Sequence, residues 1–236
     1  ESMSVLDGKV PYAIVIGNHD MGPGGHTENR ESPLFNKHFP VRKYKPSSTF
    51  GGTFEPELMD NSYHLFETDD MGWLVLALEY LPRDHVLEWA NDITALHQDR
   101  KTILLTHSHL EMPGQLNAIN PLKPPGFGIV SSPEGVNDGV NTWNKLARKH
   151  AGMSFVFNGH FLGSCRITGI GQPGNQIYQM LANYQHMEEG GGGYLRLIHF
   201  NPSQKRVSVR TYSPYLDLYL TDTENEFVIE NCDLHS

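Results

Sequence analysis

Short apolar runs that stop abruptly at polar turn residues set the pattern of this chain. Tyr12-Ala13-Ile14-Val15-Ile16 ends at Gly17, Ile103-Leu104-Leu105 ends at Thr106-His107, and Phe155-Val156-Phe157 ends at Asn158-Gly159. Runs of this length, bounded by turn signals, predict buried strands. Val10 to Ile16, Lys101 to Thr106 and Ser154 to Phe157 are read accordingly. Ser62 to Glu67 reads as a short strand, Asp69 to Gly72 as a turn and Trp73 to Glu79 as a continuous apolar strand, a hairpin leading into a sheet. From Asp84 to Leu96 the rhythm changes. Val86, Trp89, Ala90 and Ile93 repeat at helical spacing, with Asp84 as the expected N-cap. Asn141 to His150 reads as a second helix.

The last third is β-rich. Gln179 to Tyr184, Tyr194 to Phe200 and Arg206 to Tyr212 read as strands, with Asn201 to Gln204 as the turn between the last two. Two long segments break the pattern. Residues 21 to 60 are rich in Gly, Pro, Ser and Asn but carry Phe35, Phe39, Tyr44, Phe50 and Phe54. Residues 111 to 137 include Pro121, Pro124, Pro125, Gly126 and Gly128. Loops of this length in a compact domain are commonly functional. Gly190 to Gly193 reads as a flexible linker or lid edge. Strand–helix alternation in the middle with hairpins outside predicts an α+β or α/β layered sandwich, mixed sheets flanked by helices. One domain over 1–236 is expected, with a motif-bearing core at 1–165 and a β-rich part at 166–236.

Composition supports a globular chain. With 38% hydrophobic and 19% charged residues among 236, a core can be filled. The formal net charge of −9 argues against nonspecific binding to nucleic acid or anionic membrane. No run is long enough to span a bilayer. No secretory leader is evident. The chain opens on Glu1-Ser2-Met3 without an initiator Met, which a removed leader (and hence export) or a missing N-terminal region would each explain. Cys165 and Cys232 form no CxxC pair, so a thiolate zinc knuckle is not expected, and spacing leaves their pairing open.

The chemistry lies where the strands stop. Three strands each end on a metal-capable group: Asn18 with His19, His107, and His160. In open α/β sheets such ends gather ligands along one edge. Asn18, His107 and His160 could form a three-ligand set with an open position for water, suiting Zn, Mn, Fe or Ni. His19 would be free for proton transfer, with Asp20 holding its tautomer. For His107 and His160 a structural role, bonded to loop backbone, stands beside the metal-binding one. His109 is read as a substrate-edge or outer-sphere group. His38 and His64 read as surface residues, as does His26, which lies close enough to the first motif to approach a substrate.

Taken in order, Gly17-Asn18-His19-Asp20, Thr106-His107 and Asn158-Gly159-His160 resemble the calcineurin-like metallophosphoesterase family. The resemblance covers most of the first 165 residues. It implies a four-layer sandwich with a two-metal centre, in which Asn18, His107 and His160 ligate one metal and His19 is the acid serving the leaving group. The chain departs from that pattern. The family's Asp-x-His and Gly-Asp motifs do not occur before Gly17, and its final Gly-His-x-His reads Gly159-His160-Phe161-Leu162. Half of a two-metal site is therefore expected, holding one ion. Either another segment or chain supplies the rest, or the centre is mononuclear.

Three functions follow as expectations. The first is a metal-dependent hydrolase of a small phosphoester or simple carboxylic ester. The second is a metal-free serine esterase using Ser108 or Ser164, neither of which lies in a Gly-x-Ser-x-Gly elbow. The third is a degenerate phosphoesterase kept as a binding or assembly module. Loss of opening strands would also uncover an edge or apolar face, which a homo-oligomer would cover.

Overall fold

A computed structural model describes residues 3–68, 71–119 and 128–234. Asp69 and Asp70 of the expected turn, and Pro121, Pro124, Pro125 and Gly126 of the second long loop, lie outside the described residues. The fold is α+β, a large mixed sheet flanked by helices.

The large sheet contains β1 (Phe50–Thr53), β2 (Ser62–Thr68), β3 (Met71–Leu78), β4 (Lys101–Thr106), β7 (Met153–Asn158), β8 (Gly163–Ile170) and β9 (Gln176–Asn183), in the order β1-β2-β3-β4-β7-β9-β8. Strands β3, β4, β7 and β9 are parallel, while β1, β2 and β8 run antiparallel to their neighbours. Between β4 and β7 the chain makes the small hairpin of β5 (Leu110–Glu111) and β6 (Gln115–Leu116). The central parallel strands are almost wholly buried and apolar, as strands covered on both faces must be.

On one face Leu74, Leu76, Leu78, Leu104 and Val156 pack against Val86, Leu87 and Ala90 of a long helix and against Leu146 and Ala147. That helix, α3 (Asp84–Leu96), follows the short α1 (Pro33–His38) and α2 (Val41–Tyr44) and precedes α4 (Gly139–Lys145). Both helix starts differ from the expected ones. Arg83, not Asp84, occupies the N-cap of α3, and the Asp84 carboxylate instead accepts from Asn137 and Lys145. The second helix starts earlier than expected, capped by Asp138, which accepts from the Asn141 amide.

The other face is covered by a four-stranded antiparallel sheet, in which β11 (Arg206–Ser213) pairs with β10 (Leu195–Asn201), β12 (Leu218–Leu220) and β13 (Glu226–Ile229). Val207, Val209, Ile198 and Phe200 meet Trp73, Phe155 and Met180 there, with the Phe200 ring 4.9 Å from Trp73 and 5.1 Å from Phe155. Cover is incomplete. Beside this sheet lies an apolar trough of about 340 Å3 whose floor includes Phe66, Val75, Ile103, Leu105 and Phe157.

The predicted strand from Val10 to Ile16 is not one. Pro11 to Gly17 run without ladder partners, and Pro11, Tyr12 and Ala13 wall the trough. An apolar run becomes a strand only beside a free strand edge, and this one lies over the face of a sheet instead. Residues 21–60 are more ordered than a loop. Their Phe35, Val41, Tyr44 and Met59 form a third core with Ile16, Met21, Tyr80 and Leu81. His64, expected at the surface, is buried within β2 at 5% exposure. Cys165 and Cys232 are both buried and unpaired.

Candidate metal centre at the strand ends

Three adjacent parallel strands stop at one edge of the sheet. β4 ends at Thr106 and is followed at once by His107. β7 ends at Asn158, and His160 comes two residues later. β3 ends at Leu78, and Tyr80 comes two residues later. The Gly17-Asn18-His19-Asp20 segment arrives from the side as a single 3-10 turn. Its close approach suits Gly17, because a Cβ there would lie 3.1 Å from His107 Cε1, tighter than an ordinary contact. The turn is fixed twice. The Gly17 amide donates to Asp20 Oδ2 at 2.9 Å, and the buried Thr27 hydroxyl donates to the Asn18 carbonyl at 2.7 Å.

The three expected donors come together. His107 Nε2 lies 2.8 Å from Asn18 Oδ1 and 3.1 Å from His160 Nδ1. A single imidazole nitrogen thus faces two polar atoms, yet it carries at most one proton. If that proton goes to Asn18 Oδ1, His160 Nδ1 must share it or be left unmatched. Ligands about 2.0–2.1 Å from a tetrahedral zinc sit roughly 3.3 Å apart, so small movements would turn this contact set into a coordination set. The donors fit a cation in chemistry too, being two imidazoles and a carboxamide oxygen. Among the described residues no group of three or more His, Cys, Asp or Glu is arranged to hold a metal. The cluster here is of a different composition, with Asn18 as its third member.

Burial keeps the imidazoles neutral. It pushes His107 down to about 4, aided by the neighbouring His160 and His19, and it lowers His160 with further help from His19. Neutral rings keep the lone pairs a metal needs. The site also stores backbone strain. His160 sits at φ 64, the left-handed region that a β-carbon disfavours, and the Asn183 side chain holds its carbonyl at 2.9 Å.

His19 is exposed, and its Nδ1 contacts the Gly25 carbonyl at 2.9 Å. A carbonyl only accepts, so Nδ1 carries a proton in this contact. The partner that fixes the tautomer is therefore Gly25, not Asp20, whose carboxylate is engaged by Gly17. Gly25 at φ 68 is needed there, since a Cβ would come 2.7 Å from the His19 carbonyl.

His109 does not line the site's edge. It is fully buried, its Nε2 is 2.7 Å from Gln179 Oε1, and burial pushes it down to about 4. The reason is the path of the chain. After His107 it turns into β5, which directs His109 into the core. His26 is exposed. The Ser108 and Ser164 hydroxyls donate to the side chains of Asn117 and Asn225 rather than to an imidazole. Tyr80, which the sequence reading passed over, touches both metal-capable rings, with centroids 5.5 Å from His107 and 5.2 Å from His160. The available signal was positional, since Tyr80 follows a continuous apolar strand just as His107 does.

No protein-family model matches the chain. The chain is similar to the uncharacterized protein YvnB of Bacillus subtilis (strain 168), with 30% identity over 232 residues. That match covers 94% of this chain but only 16% of YvnB. No helix among the described residues is long and apolar enough to cross a membrane.

Proposed function

We propose that this chain is a metal-dependent hydrolase of ester bonds, built on a calcineurin-like phosphoesterase frame and acting on a small phosphoester or simple carboxylic ester. The observation that carries this reading is the meeting of Asn18, His107 and His160, three residues far apart in sequence, within 2.8 and 3.1 Å contacts, where a 3-10 turn comes up to the ends of two parallel strands.

One divalent transition ion (Zn, Mn, Fe or Ni) would supply Lewis acidity and an activated water there. The chain's own residues set the conditions. Asn18, His107 and His160 are all neutral donors, so they leave the full positive charge of an ion to attract an oxyanion. His19 is exposed and the Gly25 carbonyl holds its Nδ1, which leaves Nε2, in the doubly protonated ring, to pass a proton to a leaving group. A single-ion site lacks part of the clamp that two ions place on phosphoryl transfer, which favours carboxylic esters relative to phosphoesters.

The absence of any carboxylate from the donor set favours one rival, a degenerate module that binds without turnover. The apolar trough and the β10 edge, where Leu195 and Leu197 are 42% and 47% exposed, suit coverage by a second copy. Light scattering would count the chains.

Elemental analysis of purified protein, followed by chelator titration on aryl phosphate and short-chain aryl esters, tests the main reading. Close to one ion per chain and chelator-sensitive turnover are expected. Turnover that survives complete metal removal overturns it. No metal with no turnover favours the binding module.

A further inference from the structure

We propose that Tyr80 is a positioning residue, delivered by a strained turn, whose ring fixes the tilt and spacing of the His107 and His160 imidazoles so that both face Asn18. The inference rests on reading those three residues as a cation site.

The need for such a residue is physical. The histidine χ2 torsion is broad and intrinsically weakly held, so an imidazole points one way only if its surroundings make it do so. His107 and His160 lie 4.8 Å apart at 69°, close enough for either to swing into the other. Tyr80 touches both. Its ring meets His107 nearly edge-on at 74° and His160 at 40°. Phe161 holds the remaining side of His160 at 4.7 Å and 85°. Tyr80 is 3% exposed, so its ring also keeps solvent from that flank.

The chain invests heavily in placing this ring. Immediately after Tyr80, Leu81 takes φ 49, an uncommon conformation for a branched residue. Arg30, from a segment fifty residues earlier, clamps the turn. It donates to the carbonyls of Tyr80 at 3.4 Å and Leu81 at 2.9 Å and pairs with Glu79 at 3.1 Å. Glu79 is 1% exposed and also accepts from Asn61 and the Arg83 side chain. Strain that persists only because its surroundings enforce it marks a functional position. Here the enforced residue touches both imidazoles.

Cobalt(II) binding tests the assignment, using affinity and visible absorption as readouts. Wild-type protein should bind cobalt with a defined absorption spectrum. Tyr80→Leu should weaken binding on the order of tenfold or more, the range seen when groups orienting metal ligands are lost, and should alter the spectrum. Tyr80→Phe, which keeps the ring, should restore affinity to within about twofold. If Tyr80→Leu fails to fold, proton NMR of the wild type decides. The His107 and His160 ring protons should be displaced by the Tyr80 ring current and should stay displaced when zinc is added. Loss of those shifts on loading, or a folded Tyr80→Leu with wild-type affinity and spectrum, overturns the inference. Wild type that binds no cobalt fails the site itself rather than Tyr80.

Discussion

His107 and His109 stand two residues apart, and burial pushes both down to about 4, yet they belong to different kinds of region. His109 lies wholly inside, with one nitrogen on Gln179 Oε1. That contact is a single amide–imidazole pair, and the ring's other nitrogen, Nδ1, is buried without a hydrogen-bond partner. His107 is only part-buried, and its Nε2 faces Asn18 and His160 together. Its partner His160 adopts a strained backbone, and Tyr80 presses on both rings. Neutrality is therefore shared by the two regions and distinguishes nothing. The difference lies in whether a ring nitrogen meets one polar atom, as in His109, or two that converge on it, as in His107.

Substitution at the strand ends should separate the two regions most sharply. His107→Ala and His160→Gly are each expected to lower chelator-sensitive hydrolysis on the order of 100-fold or more, since loss of a direct ligand should exceed loss of its outer partners. Stability should respond much less. Glycine at 160 removes a left-handed β-carbon that costs about 1 kcal/mol, so His160→Gly should unfold within about 4 °C of wild type. A large fall in unfolding midpoint with unchanged specific activity would make this cluster structural, like His109.

The apolar–polar rhythm made half of this legible. Strands β4 and β7 and the residues beyond them were readable because each apolar run ends sharply on His107 or Asn158-Gly159-His160. What escaped depends on distant partners. Tyr80 owes its place to Leu81's positive φ and to Arg30, neither of which leaves a local pattern. Tyr12 to Ile16 look like a strand, but no strand edge is there to pair with them. Strand β8 was missed because Gly163, Gly169 and the exposed Arg166 blur its alternation, and only pairing with β9 reveals it. The aromatics of residues 21–60 were visible, but their gathering around Ile16 and Met21 into a core was not.

The interior histidine should show the opposite phenotype. His109→Leu leaves Gln179 without its partner, and a buried polar group stranded in this way costs about 1–3 kcal/mol. Activity per folded molecule should be kept. Acid should expose the same region in chelated protein. His64, His107 and His109 are each held near 4, below the ordinary 6.5 that the unfolded chain recovers. The unfolded state then binds protons first, so stability is full above about pH 6.5 and is lost as pH falls toward 4. Asp60 opposes this. Burial raises it to about 6, so its contribution is greatest below its ordinary 3.8 and is lost as pH rises through 6. Three histidines against one aspartate give a net loss on acidification. Urea unfolding across pH 4–7.5 should show it, with a shallower acid limb for His109→Leu. An unchanged limb in that variant would mean His109 is not held neutral by the fold.

The smallest effect is expected at Asp20, which divides scaffold from chemistry within the first motif. Its carboxylate accepts from the Gly17 amide, and His19 is oriented by the Gly25 carbonyl instead. Asp20→Ala should therefore cost about 1 kcal/mol, as loss of a turn-capping acceptor does, and should leave the pH profile of turnover unchanged in shape. Any fall in turnover should stay well short of the roughly 10²–10⁴-fold that loss of a general acid produces, the range expected for His19→Ala. If Asp20→Ala instead falls into that range while folding normally, Asp20 orients the His19 ring during turnover and the Gly25 contact is not the one that matters. In that case the carboxylate must leave Gly17 and swing toward the imidazole, which would place it with the convergent region rather than with the paired one.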